Sequence, residues 1–183
     1  MATPDPDADA NAHDAPMTDD DIRIRYDIRP GDLGRLVSLH GTVYEDEDGH
    51  FGSMFEAYVA RTVADFVIDD AGRGRVWFAE AGETLLATTA LILRGDGSDR
   101  CGQLRWIVAA PAARGRGLGG RLVRGAIDYA REAGCARVYL ETTPGLDASM
   151  ALYEKLGFVE TDRTTAPLWT GDNIVLTLTK SLA

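Results

Sequence analysis

Ala113 to Val123 reads ARGRGLGGRLV. Gly115, Gly117 and Gly120 spell G-x-G-x-x-G, the fingerprint of a dinucleotide-binding turn. Arg114 and Arg116 sit beside and between these glycines, and a helical pattern follows. Such a turn binds anions for three physical reasons. The first helical N–H groups have no intrahelical acceptor. The helix dipole places partial positive charge there. Residues without a Cβ let a phosphate reach the backbone. The plainer alternative is a loop whose glycines serve turn geometry alone; two arginines and a long following helix weigh against it.

Three phosphate cradles compete for this stretch. A P-loop requires G-x-x-x-x-G-K-[ST], and no Lys-Ser or Lys-Thr follows these glycines. The dinucleotide frame, which would make the chain an NAD(P)-dependent oxidoreductase, has an acid in a suitable place, Glu141 at the end of the next strand. Two features oppose it. Ala109 to Arg114, with Pro111, separate the glycines from the preceding strand, and little chain follows Glu141 for a second mononucleotide half. The third frame starts at Arg114 and reads R-x-x-G-x-G through Gly119.

The surrounding chain has a consistent grammar. IRIRYDIR, from Ile22 to Arg29, alternates apolar and polar residues as a half-buried strand does. Pro30 and Gly31 end it, and Asp32 can cap a helix to about Val43. EDEDGHFGS reads as an acidic loop, and Phe55, Val59, Val63 and Phe66 recur at helical spacing in a second helix from about Met54 to Ile68. RVWFAEA and TLLATTALILR form a hairpin across Gly82 and Glu83, and QLRWIVA is the next strand. The helix after the glycines ends before Gly134, and RVYLETT is a strand. Ala148 to Leu156 is a short helix, followed by strands at about Phe158 to Thr161 and Ile174 to Thr179. The order β-α-α-β-β-β-α-β-α-β-β predicts a mixed α/β (α+β) sheet rather than an alternating doubly wound one.

Composition narrows the function classes. The 183 residues carry a net charge of -10, and residues 1–21 supply seven Asp with no Lys or Arg. We expect that stretch to be a disordered acidic tail and residues 22–183 to be one domain. The tail has neither the basic nor the apolar region of a signal peptide, and no run approaches the roughly 18 apolar residues of a membrane span. Cys101 and Cys135 lack metal-ligand spacing and read as reduced thiols, so we expect a cytoplasmic protein with no metal. Overall acidity argues against a nucleic-acid partner, and nothing points to a membrane partner.

Read with its neighbours, Arg114-Gly115-Arg116-Gly117-Leu118-Gly119 resembles the pyrophosphate loop of GCN5-related N-acetyltransferases (GNAT). LRWIVAAP before it is similar to that family's fourth strand, and ALYEKLGF, Ala151 to Phe158, is similar to its late Y-x-x-x-G-F helix. The body also resembles the acetyltransferase half of bacterial MarR–acetyltransferase fusions, although residues 1–21 cannot hold a winged helix. The resemblance implies a mostly antiparallel sheet of about six or seven strands, flanked by about four helices, with a splayed central strand pair. It implies acetyl-CoA as acyl donor, a small-molecule or protein amine as acceptor, direct attack in a ternary complex, and a monomer or homodimer. A non-catalytic acyl-CoA-binding sensor on the same fold is the alternative.

Residue by residue, the resemblance puts the cofactor's pyrophosphate on a turn made by Arg114, Gly115, Arg116, Gly117, Leu118, Gly119 and Gly120. Backbone groups of Ile107, Val108 and Ala109 would hold the pantetheine amides and the acetyl oxygen. Tyr153 matches the family's general acid; its plainer role is to pack a helix on the sheet. Leu146 stands where many members carry Asn. Many members also carry a Glu on the fourth strand, where this chain offers Gln103 and Arg105, so Glu141 is the candidate general base. His40, Tyr44, Glu45, Asp46 and His50 fall where the family shapes its acceptor pocket, and as a group they predict acidic character there. Trp77, Trp106 and Trp169 read as core or pocket wall, and Arg121, Arg124 and Arg131 as a solvated helix face.

Overall fold

A computed structural model describes residues 18–48, 51–168 and 171–182, without the side chains of residues 46–48 and 71. Strands β1 (Ile22–Arg25), β2 (Gly74–Ala81), β3 (Thr84–Arg94), β4 (Cys101–Ala109), β5 (Arg137–Thr142), β6 (Val159–Leu168) and β7 (Gly171–Ser181) form one sheet in the order β1-β2-β3-β4-β5-β7-β6. Every neighbouring pair is antiparallel except β4 and β5. Helices α1 (Asp32–Asp48), α2 (Gly52–Asp65), α3 (Leu118–Glu132) and α4 (Asp147–Lys155) complete the mixed α/β fold.

Two cores sandwich the sheet. Leu118, Leu122, Val123, Ala126 and Ile127 of α3 pack on one face with Leu91, Leu104 and Val138. Leu36 of α1 and Phe55, Val59 and Val63 of α2 pack on the other with Phe78, Ala90 and Ile92. Coverage on both faces explains why β3 is an almost unbroken apolar run.

Local differences from the sequence reading have physical causes. β1 stops at Arg25 instead of reaching Ile28, because the Arg25 guanidinium is drawn to Asp32 and Glu80, each at 2.6 Å, and the chain turns into α1. Tyr26 and Ile28 are exposed. α1 continues through the first part of the expected acidic loop, because Tyr44 packs on Phe51 and Phe55 and acidic residues do not break a helix. α2 ends at Asp65 in a wide turn of π type, Phe66–Asp70, which leaves Ile68 in solvent. β6 runs seven residues further than expected at its C-terminal end. It is an edge strand, exposed on both faces through Thr165 with only Ala166 and Leu168 half-buried, so its sequence has little apolar alternation to read. Of the acidic tail, residues 1–17 lie outside the described residues. Asp19–Asp21 forms a 3-10 turn, pinned by the Thr18 hydroxyl donating to Asp21 at 2.8 Å.

Candidate active site

Among the described residues, the only parallel pairing in the sheet is short. β4 meets β5 over Cys101–Gln103 alone, while its other edge pairs with β3 as far as Ala109. Thr88 pairs with Val108 and Ala90 with Arg105, so Trp106 and Ile107 both face Thr89 in a β-bulge. Trp106 adopts φ 49°, the only positive φ at a non-glycine among the described residues. That conformation costs a bulky residue roughly 1–2 kcal/mol. The Thr88 hydroxyl donates to the Trp106 carbonyl at 2.8 Å, and the indole N–H donates to Thr62 Oγ1 at 3.2 Å. Phe66 meets the indole edge-on. The surroundings therefore fix a strained bulge where β4 parts from β5, and the β5-facing edge of β4 beyond Gln103 has no ladder partner among the described residues.

The parted strands open onto a cavity of about 320 Å³. Ile107, Tyr153 and Glu141 all line it, so three of the sequence-predicted residues converge. Tyr153 comes from α4, and Leu146, at the start of that helix, lines the same cavity. The Tyr153 phenol is buried, and burial, reinforced by the nearby Tyr44, pushes it far above its ordinary range despite a hydrogen bond with Ser149. It therefore holds its proton at any physiological pH. Glu141, on β5, is exposed at the mouth, and its Oε2 accepts from Gln103 Nε2 at 3.3 Å. Arg105, also on the wall, donates to the Tyr58 hydroxyl at 3.0 Å.

The α1 and α2 side of the cavity is aromatic. Tyr44 donates to the Ile107 carbonyl at 3.3 Å, and burial pushes its phenol up to about 12. Phe51 and Phe55 pack against Tyr44 and against each other with centroids 4.9–5.0 Å apart. His40 is buried, and its Nδ1 lies 2.9 Å from the Leu36 carbonyl. A carbonyl only accepts, so Nδ1 carries the hydrogen and Nε2 presents a lone pair that has no partner. Burial draws this imidazole down to about 4, so it is neutral at physiological pH.

The glycine turn lies outside that cavity, at the far end of β4. A 3-10 turn, Pro111–Ala113, separates it from the strand, which is not the direct entry that a dinucleotide fingerprint needs. Gly115 and Gly117 take φ 74° and 67°, left-handed values that call for glycine. The first bond of the α3 ladder runs from Arg121 N–H to the Gly117 carbonyl, so the amides of Leu118, Gly119 and Gly120 precede it. A Cβ on Gly119 would meet only Leu152, at an ordinary 3.6 Å, so packing within the chain does not require glycine there. These features fit a pyrophosphate. Arg114 is exposed, and Arg116 pairs with Asp19 at 2.9 Å. Val108 is buried and Ala109 partly so, and both pair with β3.

The remaining sequence candidates divide. Glu45 is exposed and does not line the cavity. The Asp46 side chain, His50 and Trp169 lie outside the described residues. Trp77 is core and Trp106 is cavity wall. Arg121, Arg124 and Arg131 are exposed along α3. Sequence reasoning missed Tyr58, although its place three residues after Phe55 put it on the same helical face, and it missed Thr62 and Thr88, which hold the bulge.

A family model described as the Acetyltransferase (GNAT) family matches residues 41–158. Glucosamine 6-phosphate N-acetyltransferase 1 of Oryza sativa subsp. japonica is 36% identical over 166 residues, covering 87% of this chain and 94% of the rice protein. An acetyltransferase structure from Streptococcus agalactiae superposes with a TM-score of 0.70 at 24% identity, covering 88% of this chain and 98% of that one. The Salmonella typhimurium protein yncA, solved with its cofactor acetyl-CoA, has a TM-score of 0.64 at 16% identity, covering 88% and 94%. With the family model spanning most of the described chain and the rice enzyme aligned along nearly its whole length, the chain belongs to the GNAT acetyltransferase family.

Proposed function

We propose that this chain transfers the acetyl group of acetyl-CoA to a primary amine by direct attack in a ternary complex. The observation that carries this reading is the bulged split between β4 and β5, with a glycine turn at one end and Tyr153 and Glu141 at the other. Acetyl-CoA supplies, when bound, an acetyl group activated as a thioester. Arg114, Arg116 and the amides of Arg116 to Gly120 would hold its pyrophosphate, and the backbone of Ile107, Val108 and Ala109 would hold its arm. Glu141 would take a proton from the amine as the N–C bond forms and the C–S bond breaks. The Tyr153 phenol keeps its proton at Oη for the departing sulfur. Buried free thiols at Cys101 and Cys135 support a cytoplasmic setting, and a cavity of about 320 Å³ suits a small-molecule acceptor in a monomer or homodimer.

The test offers acetyl-CoA with a broad panel of primary amines and follows free thiol, with NADPH titrated in parallel. Amine-dependent thiol release is the expected result. NADPH binding with no response to CoA, or no release across the panel, would overturn the reading.

A further inference from the structure

The cavity carries more information than the reaction needs. Among its described lining residues, Arg105 is the one cation and Glu141 the one anion. The Arg105 guanidinium lies 5.7 Å from the Tyr58 ring and 5.8 Å from the Trp106 ring, besides its bond to the Tyr58 hydroxyl. These contacts orient it, and among the described residues no carboxylate pairs with it. A pre-oriented guanidinium with unspent N–H groups is suited to a carboxylate or phosphate. The opposite wall is Tyr44, Phe51 and Phe55. The Tyr44 hydroxyl is already spent on Ile107. His40 Nε2 is closed off from solvent, so it offers a bound hydroxyl no acceptor either. A polyhydroxyl body placed there would leave its hydroxyls unmatched, at about 1–3 kcal/mol each, whereas a flat apolar body would match the wall.

We infer that the cavity selects an aromatic α-amino acid as acetyl acceptor, with its carboxylate on Arg105, its amine toward Glu141 and its ring on the Tyr44–Phe55 wall. This rests on the acetyltransferase reading and deepens it. It also separates this chain from its rice relative, whose named substrate is an amino-sugar phosphate.

The experiment measures kcat/KM by thiol release with saturating acetyl-CoA for L-tryptophan, tryptamine, glucosamine 6-phosphate and spermidine. Calorimetric binding of the same four compounds in the presence of CoA runs alongside. L-tryptophan and tryptamine differ only in the carboxylate. The expected result is that L-tryptophan leads, by at least about tenfold over tryptamine, because a site built for the carboxylate rejects the analogue lacking it. Arg105→Gln should shrink that gap to about threefold or less, chiefly through KM, with Arg105→Lys intermediate. Wild-type preference for any of the other three compounds would overturn the inference, with no variant needed. A gap retained in Arg105→Gln would also overturn it. Acetylation of amines with no preference sinks this inference and leaves the acetyltransferase reading intact. Carboxylate-selective binding without any acetyl transfer overturns the acetyltransferase reading and the acceptor role with it, and leaves only the carboxylate site at Arg105 standing.

Discussion

His40 sits where its imidazole can neither reach water nor find a second partner, and that has a measurable consequence for folding. Its pKa falls from 6.5 to about 4 in the folded chain because burial disfavours the charged ring. Between those values the unfolded chain binds a proton that the folded chain refuses. The contribution to stability is therefore complete above the unfolded pKa and is lost as pH falls through the window toward 4, at about 1.4 kcal/mol per pH unit at most. Urea midpoints measured across that window should decline for the wild type and decline less for His40→Gln. Equal slopes would show that the ring is not held neutral. The same residue shows what a sequence withholds. His40 reads as a polar residue near a pocket, whereas the tautomer fixed by the Leu36 carbonyl and the unspent Nε2 are legible only once α1 is folded against Phe55.

At the scale of elements, the glycine turn and α3 form the part most legible in advance. The motif is local: left-handed glycines, two arginines and a helix N-terminus follow one another in the chain. Gly119→Asp tests its role by pulling stability and binding in opposite directions. A carboxylate in the first turn of a helix favours the fold by roughly 0.3–1 kcal/mol, and a Cβ fits at 3.6 Å from Leu152. The melting temperature should hold or rise, while acetyl-CoA affinity measured by calorimetry falls at least about tenfold through repulsion of the phosphates. Retained affinity would remove the turn from the cofactor site. The acceptor side was far less legible, because it is assembled from elements distant in sequence. Tyr58 of α2 meets Arg105 of β4, Tyr44 of α1 meets Ile107, and Thr164 and Ala166 of the edge strand β6 close the cavity. No period or spacing announces such meetings. Trp106 is the sharpest case, since only the ladder with β3 reveals that a tryptophan occupies the left-handed region.

For the whole molecule, the uneven charge bears directly on the donor. The chain carries a net charge of -10, and a polyanionic donor approaches against it. Arg116 at the glycine turn is paired with Asp19, a residue of the acidic segment ahead of β1. A phosphate arriving at the turn competes with that carboxylate. Exposed pairs of this kind are worth about 0.2–1 kcal/mol, so Asp19→Ala should tighten acetyl-CoA by about 1.4- to fivefold at low salt, and high salt should erase the difference. An unchanged or weakened affinity would show that the pair does not oppose binding. The central claim, that the two ends of the split strand pair form one acetyltransferase site, is tested most directly by Tyr153→Phe. The substitution keeps the buried ring and its edge-on contact with Phe158 and removes the phenolic hydroxyl, with its proton and its hydrogen bond with Ser149. Steady-state kinetics should show kcat lowered by roughly a hundredfold or more, while calorimetry shows acetyl-CoA affinity unchanged. An unaltered kcat would contradict the account.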